Sequence, residues 1–88
     1  MHIVLSGVLQ KHAQYQREHA FAAETVQQAI DILVKSFPAM NNVLLDPHGQ
    51  LRRIHRLFLN GKQLAHDETG QFVQQQDRLE ILTAIAGG

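Results

Sequence analysis

The chain has 88 residues, is 44% hydrophobic and 18% charged, and balances eight Lys and Arg against eight Asp and Glu. A chain this short buries about 60–65% of its unfolded surface, enough for one two-layered core and too little for a second domain or a deep enclosed active site. Charge neutrality excludes a generally basic nucleic-acid binder, and the lack of cysteine excludes disulfides, thiolate metal sites and a cysteine nucleophile.

No apolar run approaches the roughly 18–20 residues of a membrane helix. The opening MHIVLSG lacks the basic stretch and small-residue cleavage site of a secretory leader, so the expected location is the cytoplasm. Residues 2–9 (HIVLSGVL) are β-branched and aliphatic and read as a buried strand. Residues 10–16 turn the chain, and residues 17–23, with His19, Phe21 and Ala23 on one side, complete a hairpin. Thr25 then stands as an N-cap with Gln28 three positions on, a capping-box pattern. Val26, Ala29, Ile30, Leu33 and Phe37 follow at helical spacing. Pro38 ends this helix, because the residue before a proline avoids the α region.

Residues 39–53 combine the apolar Val43-Leu44-Leu45 with the turn signal Asp46-Pro47-His48-Gly49. Residues 54–59 and 62–64 form a second hairpin around Asn60-Gly61, two residues that tolerate the positive φ of a tight turn. Residues 65–77 are a polar connection with Phe72 and Val73 as core anchors, and residues 79–85 (LEILTAI) make the last strand. One helix cannot bury its stripe alone, so it must lie across a mixed sheet of four to five strands. The first and last strands, the most apolar, belong at its centre. The expected fold is α+β, a β-grasp over residues 1–85, followed by a flexible tail at 86–88.

The stretch RLFLNGKQL, Arg56 to Leu64, resembles the middle of ubiquitin. DRLEILTAIAGG, Asp77 to Gly88, resembles the last strand and diglycine end of the ubiquitin-like sulfur carriers. That family contains the small subunit of molybdopterin synthase, the thiamin sulfur carrier and the cysteine-synthesis sulfur carrier. LDPHGQLRR, Leu45 to Arg53, looks most like the cysteine-synthesis branch. The resemblance implies that a ubiquitin-activating-like adenylyltransferase uses ATP to convert the Gly88 carboxylate into an acyl-adenylate. Sulfur then displaces AMP, and the resulting thiocarboxylate is delivered to a sulfur-accepting biosynthetic enzyme making cysteine, molybdopterin or another sulfur-containing metabolite. On this reading the chain binds no cofactor and is a co-substrate, not an enzyme. Ala86 and Gly87 would thread the partner's active site, since residues without a Cβ let an extended backbone enter a narrow channel. Two other readings share the sequence: a protein modifier joined through Gly88 to lysines of its targets, and a non-covalent interaction module in which the diglycine is idle.

Partner docking also needs a surface. Strand alternation places Leu57, Leu59, Leu79 and Ile81 inside, and Arg56, Phe58, Glu80 and Leu82 outside. Phe58 and Leu82, beside Arg56, would then form an exposed apolar patch for a partner. The six histidines show no metal-ligand spacing and read as scattered surface residues. Arg52, Arg53 and Arg56, with His48 and His55, read as a charged, solvated strand edge, with docking of an acidic partner as the sharper alternative.

Overall fold

A computed structural model describes residues 1–84; Ile85 and the expected tail residues Ala86, Gly87 and Gly88 lie outside the described residues. The elements in chain order are β1 (His2–Leu5), α1 (Gly7–Gln10), β2 (Glu18–Ala20), α2 (Val26–Ser36), α3 (Asn41–Leu44), β3 (His55–Leu59), β4 (Lys62–Leu64) and β5 (Arg78–Thr83). Short 3-10 turns at Lys11–Ala13, Pro38–Met40 and His66–Glu68 join them. The five strands form one sheet in the order β2-β1-β5-β3-β4. β1 and β5 run parallel, and every other pair is antiparallel. The last strand is therefore central and the first its neighbour, as their apolar sequences predict. This is the ubiquitin-like β-grasp.

α2 forms because its ends are capped and its apolar residues share one side. The Thr25 hydroxyl accepts the Gln28 N–H at 3.1 Å. The Gln28 side chain returns to the Glu24 N–H at 2.6 Å, one residue before the position a standard capping box uses. Val26, Ala29, Ile30 and Leu33 are buried against Ile3, Leu5, Leu57, Leu79 and Ile81 of the sheet. The tight turn between β3 and β4 has φ of 52° at Asn60 and 84° at Gly61, the left-handed pair the sequence signals.

Four expectations need correction. Residues 2–9 are not one strand: β1 stops at Leu5, and the Ser6 carbonyl accepts the N–H groups of Leu9 and Gln10 at 3.0 and 3.1 Å. The helical turn this starts buries Leu9 and leaves Val8 exposed, as the alternation of Ile3 and Leu5 would also do, so the Ser6 hydrogen bonds and not the burial pattern mark the change. Second, residues 39–53 contain α3, which carries Leu44 into the core. Third, Phe72 is 79% exposed while Val73 is buried. Phe72 bridges Thr25 in extended chain, flanked by bonds from Val26 N–H to Gln71 O and Val73 N–H to Glu24 O, so adjacent side chains point opposite ways and only Val73 can face inward. Fourth, His19 and His55 are buried rather than scattered on the surface. His19 lies between Phe21 and Phe37, and His55 falls on the same inward alternation as Leu57 and Leu59.

Candidate functional site

The described chain ends at Ala84, whose N–H donates to the Ile54 carbonyl at 2.6 Å. The site is therefore built around the C-terminal end of β5, held between β1 and β3. On one side the Ser6 N–H donates to the Ile81 carbonyl at 3.0 Å. On the other side His55 stands opposite Thr83, and Arg56 opposite Leu82.

His55 ties this end down from within the core. Its Nε2 lies 2.8 Å from the Val43 carbonyl, which can only accept, so Nε2 carries the proton. Its Nδ1 then accepts from the Thr83 hydroxyl at 3.2 Å. One neutral imidazole thus joins the segment after α3 to the last described residues of β5. Burial holds the His55 pKa below the usual histidine value. The Val43 bond opposes that shift, and the Arg52 and His66 charges add to it.

The proposed docking residues lie on the sheet face turned away from α2. Phe58 stands opposite Glu80 and Leu82 opposite Arg56, so each apolar residue faces a charged one across β3 and β5. Leu82 is 38% exposed, while Phe58 and Arg56 are half-buried. Phe58 and Leu82 are thus diagonal neighbours on a mixed surface, not a continuous apolar sheet. Near the end of β5 are two further exposed apolar residues that sequence reasoning passed over. Ile54 is 52% exposed beside Ala84, and Val8 is 44% exposed on α1, which packs against β5. Ile54 shares the parity of Arg56 and Phe58 and could have been found by extending the alternation. Val8 has the opposite parity to the buried Ile3 and Leu5, and reading residues 2–9 as wholly buried hid it. Farther along the same face, Arg78 and Glu18 form an ion pair at 3.0 Å that spans β1, and Val4 beneath it is buried outside the main core.

Ala86, Gly87 and Gly88, the residues on which the chemistry is expected, lie outside the described residues. Among the described residues, no three His, Asp or Glu side chains converge on a metal position, and no helix is long and apolar enough to cross a membrane.

Comparison with solved structures finds the same fold along nearly the whole chain. The BexX/CysO complex of Amycolatopsis orientalis contains a chain 22% identical, with 99% of this chain and 98% of that chain covered and a TM-score of 0.85. Small archaeal modifier protein 1 of Haloferax volcanii is 24% identical, with 100% and 98% covered and a TM-score of 0.83. CysO of Mycobacterium tuberculosis is 20% identical, with 96% and 98% covered and a TM-score of 0.81. At these identities the likeness is one of fold. No curated protein matches by sequence. The sequence pattern of the ThiS family, however, matches residues 3–88, from the second residue of β1 through both terminal glycines. The chain belongs to the ThiS family, among the ubiquitin-like sulfur carriers.

Proposed function

We propose that the chain carries sulfur as a thiocarboxylate on Gly88. The observation that carries this reading is a family match running through Gly87 and Gly88. In the proposed cycle a Gly88 carboxylate oxygen attacks the α-phosphorus of ATP within a ubiquitin-activating-like partner, releasing pyrophosphate. Hydrosulfide then attacks the acyl-adenylate carbon and expels AMP. A persulfide can replace hydrosulfide, provided a thiol then cleaves the acyl disulfide. The thiocarboxylate sulfur finally passes to a biosynthetic enzyme, and Gly88 returns as carboxylate.

The chain's part is to present, not to catalyse. β5 sits in the middle of the sheet, bonded on both edges as far as Ile81, and from Leu82 to Ala84 it is held on the β3 side by Arg56, His55 and Ile54, so the strand is anchored to its last described residue. Ala86 and Gly87 would enter the partner's active site, while Leu82, Phe58 and Arg56 would meet its body. ATP belongs to the partner, and the reaction is assigned to the cytoplasm. Cysteine synthesis is the favoured destination, on the Leu45–Arg53 stretch and the fold shared with two CysO chains.

The test is incubation of the purified chain with ATP and an activating enzyme of this kind from its own host. Pyrophosphate release that disappears with Gly88→Arg, in a variant that unfolds as the parent does, supports the reading; equal release from the variant overturns it. The fold shared with small archaeal modifier protein 1 favours a second reading, conjugation through Gly88 to target lysines. Isopeptide adducts that survive thiol reductants and denaturant would select it.

A further inference from the structure

Arg52, Arg53 and Arg56 line an open cleft of about 1060 Å³ together with Gln63, Leu64 and His66. Arg52 Nε donates to the Asn42 carbonyl at 3.0 Å, and Arg56 Nη1 donates to the Arg53 carbonyl. These bonds fix where two guanidiniums sit while occupying only part of their donor sets. Neither they nor Arg53 has an acidic partner: the single ion pair among the described residues is Arg78–Glu18, on another part of the sheet. Of the two carboxylates at the cleft, Asp46 feels the Arg52 charge but forms no ion pair with it. Asp46 turns its Oδ1 onto the N–H groups of His48 and Gln50 at 2.8 and 3.0 Å, and Asp67 makes no ion pair. A neutral chain thus concentrates at one cleft three guanidiniums that form no ion pair among the described residues.

Three features identify what fits there. Guanidinium forks match carboxylate or phosphate oxygens in pairs. Apart from His66, no lining residue carries a ring on which a nucleic-acid base could stack, which disfavours nucleotides and RNA. The cleft also runs along β4, the last strand of the sheet, whose outer main-chain edge has no strand partner among the described residues. A free edge accepts an extended polypeptide.

The position is equally informative. β3 begins where β5 ends: Arg56, which lines the cleft, stands opposite Leu82, and Ile54, next to Arg53, is bonded to Ala84, so the cleft and the last described residues of β5 share the start of β3. We propose that the arginine cleft docks an acidic, extended segment of the partner protein that acts on the C-terminal glycines. That assignment of the partner rests on the sulfur-carrier reading; the acidic specificity of the cleft does not.

The full chain is titrated with fluorescein-labelled octaglutamate at low and moderate salt, by anisotropy, with backbone amide spectra mapping the contact. The expected result is shifts confined to Arg52–Arg56 and Lys62–His66, and binding weakened about tenfold by each of Arg53→Glu and Arg56→Glu. Lys35→Glu, on the exposed side of α2, should leave it unchanged. Arg53 is exposed, so its reversal keeps the test available if the Arg56 variant fails to fold. Equal weakening by Lys35→Glu, shifts spread over the surface, or tighter binding of an oligouridine of equal charge would overturn the proposal. If the arginine dependence holds while Gly88 never gains sulfur, the cleft stands and the sulfur-carrier reading falls.

Discussion

Ile81 and Leu82 are adjacent residues of the central strand and test the inside–outside assignment on which the site rests. Ile81→Ala and Leu82→Ala delete equal numbers of carbon atoms. Ile81 is fully buried and stands between Leu5 and Leu57, both buried, in the neighbouring strands. Transfer alone costs about 2.4 kcal/mol at about 0.8 kcal/mol per methylene. The flanking strands limit collapse, so a residual cavity raises the total to about 4 kcal/mol, within the range of about 2–5 for such truncations. Leu82 is 38% exposed, which scales its transfer cost to about 1.5 kcal/mol, and water fills the space left. Urea unfolding followed by far-UV circular dichroism, with a slope of about 1 kcal/mol per molar, should separate the two midpoints by about 2.5 M. Ile81→Ala that is unfolded without urea agrees with this, because about 4 kcal/mol approaches the whole stability of a small domain. Leu82→Ala costing as much as Ile81→Ala would refute the assignment.

Thr25→Ala should lose about 1 kcal/mol, since it leaves the Gln28 N–H without its side-chain acceptor, and thermal unfolding measures this directly. Gly61→Ala should cost about 1–2 kcal/mol, because φ of 84° is left-handed; nothing lies near the added Cβ, so an unchanged melting temperature would contradict the strain argument. His55 has a folded pKa below its ordinary value of 6.5, so the unfolded chain binds the proton more readily. Its contribution to stability is fully present above about pH 6.5 and is lost as pH falls from there through the lower folded-state value. A denaturant series against pH should show that decline in the parent and lack it in His55→Gln. The Asp46 and Asp77 pKa values are lowered, chiefly by the backbone N–H groups of Gln50 and Gln74, so a second loss should follow as pH falls below about 3.8.

The β-grasp was legible because its strongest signals are local. Asn60-Gly61, the Thr25 cap and the stripe from Val26 to Leu33 each fix an element without help from distant contacts. Apolar content then placed the first and last strands centrally. What failed depended on phase or on long-range packing. Residues 2–9 carry no helix-starting signal, and a continued strand would bury Leu9 too, so only the bonds from the Leu9 and Gln10 N–H groups to the Ser6 carbonyl reveal the helical turn. Phe72 looked like an anchor by size, but its neighbour Val73 took the inward position. His55 was hidden by its residue type, since histidine usually stays accessible; the alternation with Leu57 and Leu59 already pointed it inward, and the Val43 carbonyl and Thr83 hydroxyl make that burial tolerable. The arginines were visible as a cluster, but not as part of a cleft: that required β4 and His66 to come beside them.

The central claim concerns one atom on one residue, and intact-protein mass spectrometry of the chain purified gently from its native host tests it most directly. The sulfur-carrier account predicts a species heavier by one oxygen-to-sulfur exchange, with fragments placing the change on Gly88. Only unmodified carboxylate, together with covalent adducts joined through Gly88 to other proteins, would contradict it.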